Sequence, residues 1–186
     1  MMERDKRQEI LINQTQEQNT RNHNENRARE VLNEFYGNQK ITLPVDVIGI
    51  AHRNHIDVYR ARFEDNVLKD NVYGFIERQG NDIRIVVNAE NAATRRRFTV
   101  AHELGHFFLH HDQNSDLKYL DLRSTRSTPE ESQANQFAAE LLMPEAQLRE
   151  EYDKLMFPTV EALANKFYVS KLAMKYRLSN LGLSAF

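Results

Sequence analysis

The chain contains no cysteine. That excludes disulfides and thiolate metal centres, so any metal site must be assembled from histidines and carboxylates. The chain also lacks an apolar run approaching the ~20 residues that a membrane helix needs. No apolar stretch near the start has the form of a signal sequence. Net charge is almost absent: 25 Lys and Arg against 27 Asp and Glu give −2. No global basic field therefore recommends nucleic acid or an anionic membrane as partner. The body of the chain has no internal repeat and no low-complexity linker. These absences point to a cytoplasmic protein with no membrane partner.

What is present is 186 residues, 40% hydrophobic and 28% charged. That is enough for one domain with a real core and a small appendage. Residues 1–23 are rich in Asn, Gln, Glu, Arg and Thr, with Ile10, Leu11 and Ile12 as the main apolar residues. They are expected to form a flexible or loosely helical polar arm. The main domain is expected over 24–157 and a helical appendage over 158–186. Ala28, Val31, Leu32 and Phe35 have helical spacing, with Gly37 as a stop. Pro44 suits the first position of a second helix with Val47, Ile48 and Ala51 on its buried face.

The period then shifts to two. Ile56–Phe63, Val72–Glu77 and Ile83–Asn88 read as strands, with turn chemistry at residues 79–82. The rest is helical: about Ala92–His111, Thr128–Met143, a helix opened by Pro144, then Thr159–Phe167 and Ser170–Leu181. The segment Thr128-Pro129-Glu130-Glu131 offers an N-cap, a proline at the first helical position and an acidic first turn. The expected fold class is α+β, a small antiparallel three-stranded sheet packed on a helical body.

The densest chemistry lies in His102-Glu103-Leu104-Gly105-His106. Positions 102 and 106 share one helix face, so both imidazoles can direct a nitrogen at one cation, and zinc suits such donors. Glu103 lies about 100° round the helix, outside that ligand row. It is placed to take a proton from an attacking water. Phe98, Val100, Ala101, Leu104, Phe107 and Phe108 mark a largely buried helix. Gly105 costs it ~1 kcal/mol relative to alanine, which is easier to explain if another element packs close. A catalytic zinc usually has three protein ligands. His110 lies a further turn along, ~6 Å away in rise, and an unbroken helix cannot bring it to the same ion. Glu131 on the next helix is the better candidate, and Glu130 competes with it on local grounds. Asn135, one turn beyond Glu131, could hydrogen-bond a ligating imidazole. Ala134 and Ala138 beside them allow close helix approach.

Two linked stretches, Arg97–His106 and Glu131–Pro144, resemble the ImmA/IrrE family of metallo-endopeptidases. Leu43–Val47 and the Ile85–Asn88 strand also fit that family's layout, so the resemblance covers roughly residues 28–145. It implies a zinc metallopeptidase domain over 24–157, with His102, His106 and Glu131 (not Glu130) on zinc and Glu103 as base. It further implies a protein substrate, a helix-turn-helix repressor of a mobile element or stress response, and hence a role in transcription regulation. The reading of a different class is a regulatory or toxin–antitoxin-type binding module with structural zinc and no cleavage.

Four further expectations concern the surroundings. Arg95-Arg96-Arg97 reads as a solvated face at the start of the active helix. Tyr119, His111 and Arg123 are candidate oxyanion donors. The strand bearing Ile85, Val87 and Asn88 is expected to be an exposed sheet edge along which a peptide could pair. The tail resembles helix–turn–helix with Lys171, Lys175 and Arg177 on or near its second helix. It is expected to dock a protein, and to bind DNA only weakly because few cations are available for phosphates.

Overall fold

A change of period from 3.6 to 2 and back divides the chain into helices, then strands, then helices, and the computed structural model of the protein follows that order. It describes residues 2–63, 72–80, 82–109, 118–122 and 128–185. Helix α1 spans Met2–Tyr36 and continues unbroken across residue 23. Gly37, at φ +59°, adopts the left-handed conformation that ends it. Ala28, Val31 and Leu32 turn into the core. Helix α2 spans Val47–Arg53 and starts three residues later than the position of Pro44 suggests. The cap decides this: the Asp46 side chain accepts from Gly49 N at 2.9 Å. Pro44 instead follows a cis peptide bond with Leu43.

Strands β1 (Ile56–Ala61), β2 (Val72–Gln79), β3 (Asp82–Asn88) and β4 (Lys118–Leu122) form one sheet in the order β1-β3-β2-β4. The sheet is mixed, not antiparallel throughout, and has four strands where three were expected. β2 and β3 form a hairpin, turned by Gly80 at φ +63°. The hairpin places β3 between β2 and β1, so β3 runs parallel to β1, with Val58 opposite Ile85. β4 adds antiparallel to β2, with Ile76 opposite Tyr119.

Helix α3 spans Ala93–Phe108 and lies against β2 and β3. Gly74 in β2 admits it: a Cβ there would stand 2.5 Å from Thr99 Cγ2 and 2.7 Å from Val86 O. No side chain caps α3. Of its arginines Arg95 is exposed, as a solvated face requires, but Arg96 and Arg97 turn to backbone carbonyls. Arg96 donates to the carbonyls of Ala89 and Asn91 in the preceding turn. Arg97 donates to Val45 O at 2.9 Å, and burial lowers its pKa. Arg95 stacks over the Tyr73 ring, 4.3 Å from its centroid.

Helices α4 (Pro129–Leu142), α5 (Glu145–Asp153), α6 (Val160–Phe167) and α7 (Lys171–Asn180) complete the order. Thr159 and Ser170 cap α6 and α7 through Ala162 N and Ala173 N, both at 3.1 Å. Val160, Leu163, Phe167, Met174 and Leu178 join the same core as Leu32, Ile85 and Leu104, so residues on both sides of position 158 share one core. A buried ion-pair network ties the ends together. Arg177 contacts Glu140 and donates to Glu25 at 2.9 Å, while Arg29 donates to Glu140 at 2.8 Å. Among the described residues, no helix is long and apolar enough to cross a membrane.

Candidate metal centre

The pairing of α3 with α4 builds the site. Gly105 is the contact point: a Cβ there would lie 3.0 Å from both Ala134 Cα and Ala134 O. The glycine therefore lets the two backbones meet, and its helix cost is offset by close approach. Three residues before and one residue after the contact point on each helix, this brings His102 and His106 of α3 opposite Glu131 and Asn135 of α4. The N-cap fixes the start of α4, because Thr128 Oγ1 accepts from Glu131 N at 3.3 Å. Glu130, the competing carboxylate, is exposed.

The donor atoms converge. His106 Nε2 lies 3.0 Å from His102 Nε2. Glu131 Oε2 lies 3.1 Å from His102 Nε2, and its Oε1 lies 3.4 Å from His106 Nε2. One ligand atom from each of the three residues falls within 4.8 Å of the others. His102 Nδ1 lies 3.0 Å from Asn135 Oδ1, an atom that only accepts. Nδ1 therefore carries the proton, and in the neutral ring Nε2 presents a lone pair to the carboxylate. His102 thus turns a lone pair toward the Glu131 carboxylate and His106 Nε2, and a cation is what reconciles donor atoms so placed. The residues present thus fit a divalent metal. Protonated imidazoles meet the same need: hydrogen bonding from His102, and then from His106, would hold the Glu131 carboxyl far below the usual carboxylate range, so protons and a cation compete for the site.

Burial shapes access. His102, His106 and Glu103 are almost wholly buried, whereas the Glu131 side chain is 28% exposed, so the centre opens on that side. Glu103 precedes Leu104 in the core-facing part of α3 and is fully buried.

Other expected residues fall elsewhere. Ile85, Val87 and Asn88 lie in β3, which is paired on both sides, so they cannot receive a substrate strand. The hairpin inserted β3 into the sheet centre; β1 and β4 are the edges. Asn88 instead serves its own turn, with Oδ1 accepting from Glu90 N at 3.0 Å. Tyr119 lies in β4, while His111 and Arg123 lie outside the described residues, as does His110. In the tail, Arg177 is buried in the ion-pair network and Lys171 pairs with Glu161 at 2.8 Å, leaving Lys175 exposed. Strand β4 and the Arg177 network were missed by sequence reasoning. The only hint of β4 was the Tyr119–Leu122 stretch within a polar loop.

Metallopeptidase ImmA of Bacillus subtilis (strain 168) is 28% identical over 109 residues, which span 59% of this chain and 64% of that protein. The model of the IrrE N-terminal-like domain matches residues 54–179, and so takes in both helices of the candidate metal centre and the helices that close the core. A match over that much of the chain, with the His102, His106 and Glu131 cluster inside it, places the protein in the IrrE N-terminal-like domain family of peptidases.

Proposed function

We propose that the protein is a zinc-dependent endopeptidase that hydrolyses a peptide bond in a specific protein partner, a helix-turn-helix transcriptional repressor. The observation that carries the reading is the convergence of His102, His106 and Glu131 beside a buried glutamate that belongs to no ligand row. His102, His106 and Glu131 would hold the ion. Zinc in such a set supplies Lewis acidity toward water and a scissile carbonyl. Asn135 holds His102 in the tautomer whose Nε2 carries the lone pair that would ligate. Glu103 takes a proton from the attacking water and delivers it to the leaving amine. Its full burial keeps bulk solvent away from that carboxylate. The repressor as substrate rests on the family resemblance of Arg97–His106 and Glu131–Pro144.

The experiment incubates purified zinc-loaded protein with its co-encoded neighbour and with a purified helix-turn-helix repressor. Glu103→Gln should lower the cleavage rate ~10²–10⁴-fold and leave zinc bound. Undiminished cleavage by Glu103→Gln would overturn the mechanism. Zinc binding without cleavage of any partner would favour a binding module instead.

A further inference from the structure

A cleft of about 480 Å³ opens between α1, the start of α3, α4 and α7. Its volume falls within the ordinary range of ligand sites. It lies behind the metal centre: Asn135 lines it, and Asn135 holds the Nδ1 side of His102 while the ligand atoms face the other way. Phe98, Leu172 and Tyr176 contribute to its apolar lining. Leu172 and Tyr176 are 60% and 65% exposed on one face of α7, one turn apart. Solvated apolar side chains grouped beside a cleft are the usual anchor of a protein contact.

The charge of the cleft is one-sided. Glu25 and Arg177 also line it, but they satisfy each other at 2.9 Å. Arg21 and Arg95 line it too, and neither has an ion-pair partner among the described residues. The cleft is thus locally cationic on a chain whose net charge is −2. Guanidinium groups beside apolar walls match carboxylates next to apolar side chains. A nucleic acid would want a longer basic track, and α7 adds only Lys175 to one, because Arg177 is buried and Lys171 is already paired.

The geometry points to this cleft as an exosite for a segment of the protein substrate in which apolar side chains are flanked by carboxylates. The inference rests on the proposed endopeptidase reading for the identity of the occupant. The apolar side chains seat against Leu172, Tyr176 and Phe98, and the carboxylates meet Arg21 and Arg95. Docking there holds the partner on the opposite side of His102 from the metal, so the scissile segment reaches the centre around the Glu131 opening.

The test uses the full chain as Glu103→Gln, zinc-loaded, so that no probe is consumed. Fluorescence anisotropy compares a short labelled peptide of alternating Glu with Leu and Phe, the same peptide with Lys for Glu, the same with Ser for Leu and Phe, and a single-stranded oligothymidylate. The acidic apolar peptide should bind at least about tenfold tighter than the other three. Arg21→Glu, Arg95→Glu and Leu172→Asp should each weaken it at least about tenfold with zinc content unchanged. Equal binding of the lysine peptide, tighter binding of the oligonucleotide, or binding that survives all three substitutions would overturn the exosite. The same three variants on the active chain should raise KM for the partner and leave kcat alone; an unchanged KM would also overturn it. Failure of the endopeptidase reading shows separately, as absence of hydrolysis by the zinc-loaded wild-type chain with the peptide still bound.

Discussion

Helix α4 carries a buried polar cluster at each end, and the two are completed in different ways. At its C-terminal end Glu140 is surrounded by donors: Arg177, Arg29 and the backbone N–H of Glu145 at 3.3 Å. Every charge there meets its opposite, and the cluster joins α1, α4, α5 and α7. At its N-terminal end Glu131 faces two imidazole nitrogens at 3.1 and 3.4 Å, and the nearer, on His102, turns a lone pair toward it. The first cluster is charge-complete within the protein, whereas the second becomes complete when a cation is supplied. That difference separates a structural network from a binding site, although both are buried, ionic and built on one helix.

The largest effect that tests this contrast comes from the C-terminal cluster. Arg177→Met leaves Glu140 buried beside one fewer guanidinium and should cost ~3–5 kcal/mol in urea unfolding, with or without a chelator. Arg177→Met combined with Glu140→Leu should recover much of that loss, because a buried pair is often replaceable by packed apolar groups. A single variant that costs nothing would mean the network is not a structural joint. Next is Gly105→Ala. Its methyl would meet Ala134 backbone at 3.0 Å, forcing α3 and α4 apart. Stability should fall by ~1–3 kcal/mol, and zinc affinity should fall with it as Glu131 withdraws from the histidines. Affinity unchanged in a destabilised Gly105→Ala chain would show that the helix contact does not set the site. The smallest effect is Asn135→Ala, which releases His102 Nδ1 and should weaken zinc binding ~10–100-fold by titration. Because Asn135 is exposed, urea unfolding of the metal-free chain should hardly change.

The site was legible in the sequence because it depends on local spacing. Residues 102 and 106 share a helix face wherever the helix lies, and Thr128-Pro129-Glu130-Glu131 marks the start of α4 in four residues. Gly105 even signalled the close approach to α4, since a glycine amid buried positions of a helix asks for a neighbour. The sheet was less legible. Periodicity located β1, β2 and β3 to within two residues at each end, but an alternating pattern carries no information on which strands become neighbours. Placing Ile85, Val87 and Asn88 at an edge failed for that reason. The burial of Ile85 and Val87 reflects a strand paired on both sides. The role of Arg177 was hidden for a related reason. In sequence it is a cation on an amphipathic helix, and its partners lie 152 and 37 residues away, at Glu25 and Glu140. Arg95, Arg96 and Arg97 oppose the dipole of α3, and what justifies them, the carbonyls of a turn and of Val45 and a tyrosine face, becomes visible only once the chain has folded.

The central claim is that one cation completes the N-terminal cluster through His102, His106 and Glu131, with Glu103 outside the ligand set. Zinc per chain, measured after loading and desalting, tests it most directly. The account predicts one zinc in the wild type, in Glu130→Ala and in Glu103→Gln, and loss of zinc in Glu131→Ala. Full occupancy in Glu131→Ala, or loss of zinc in Glu103→Gln, would contradict it.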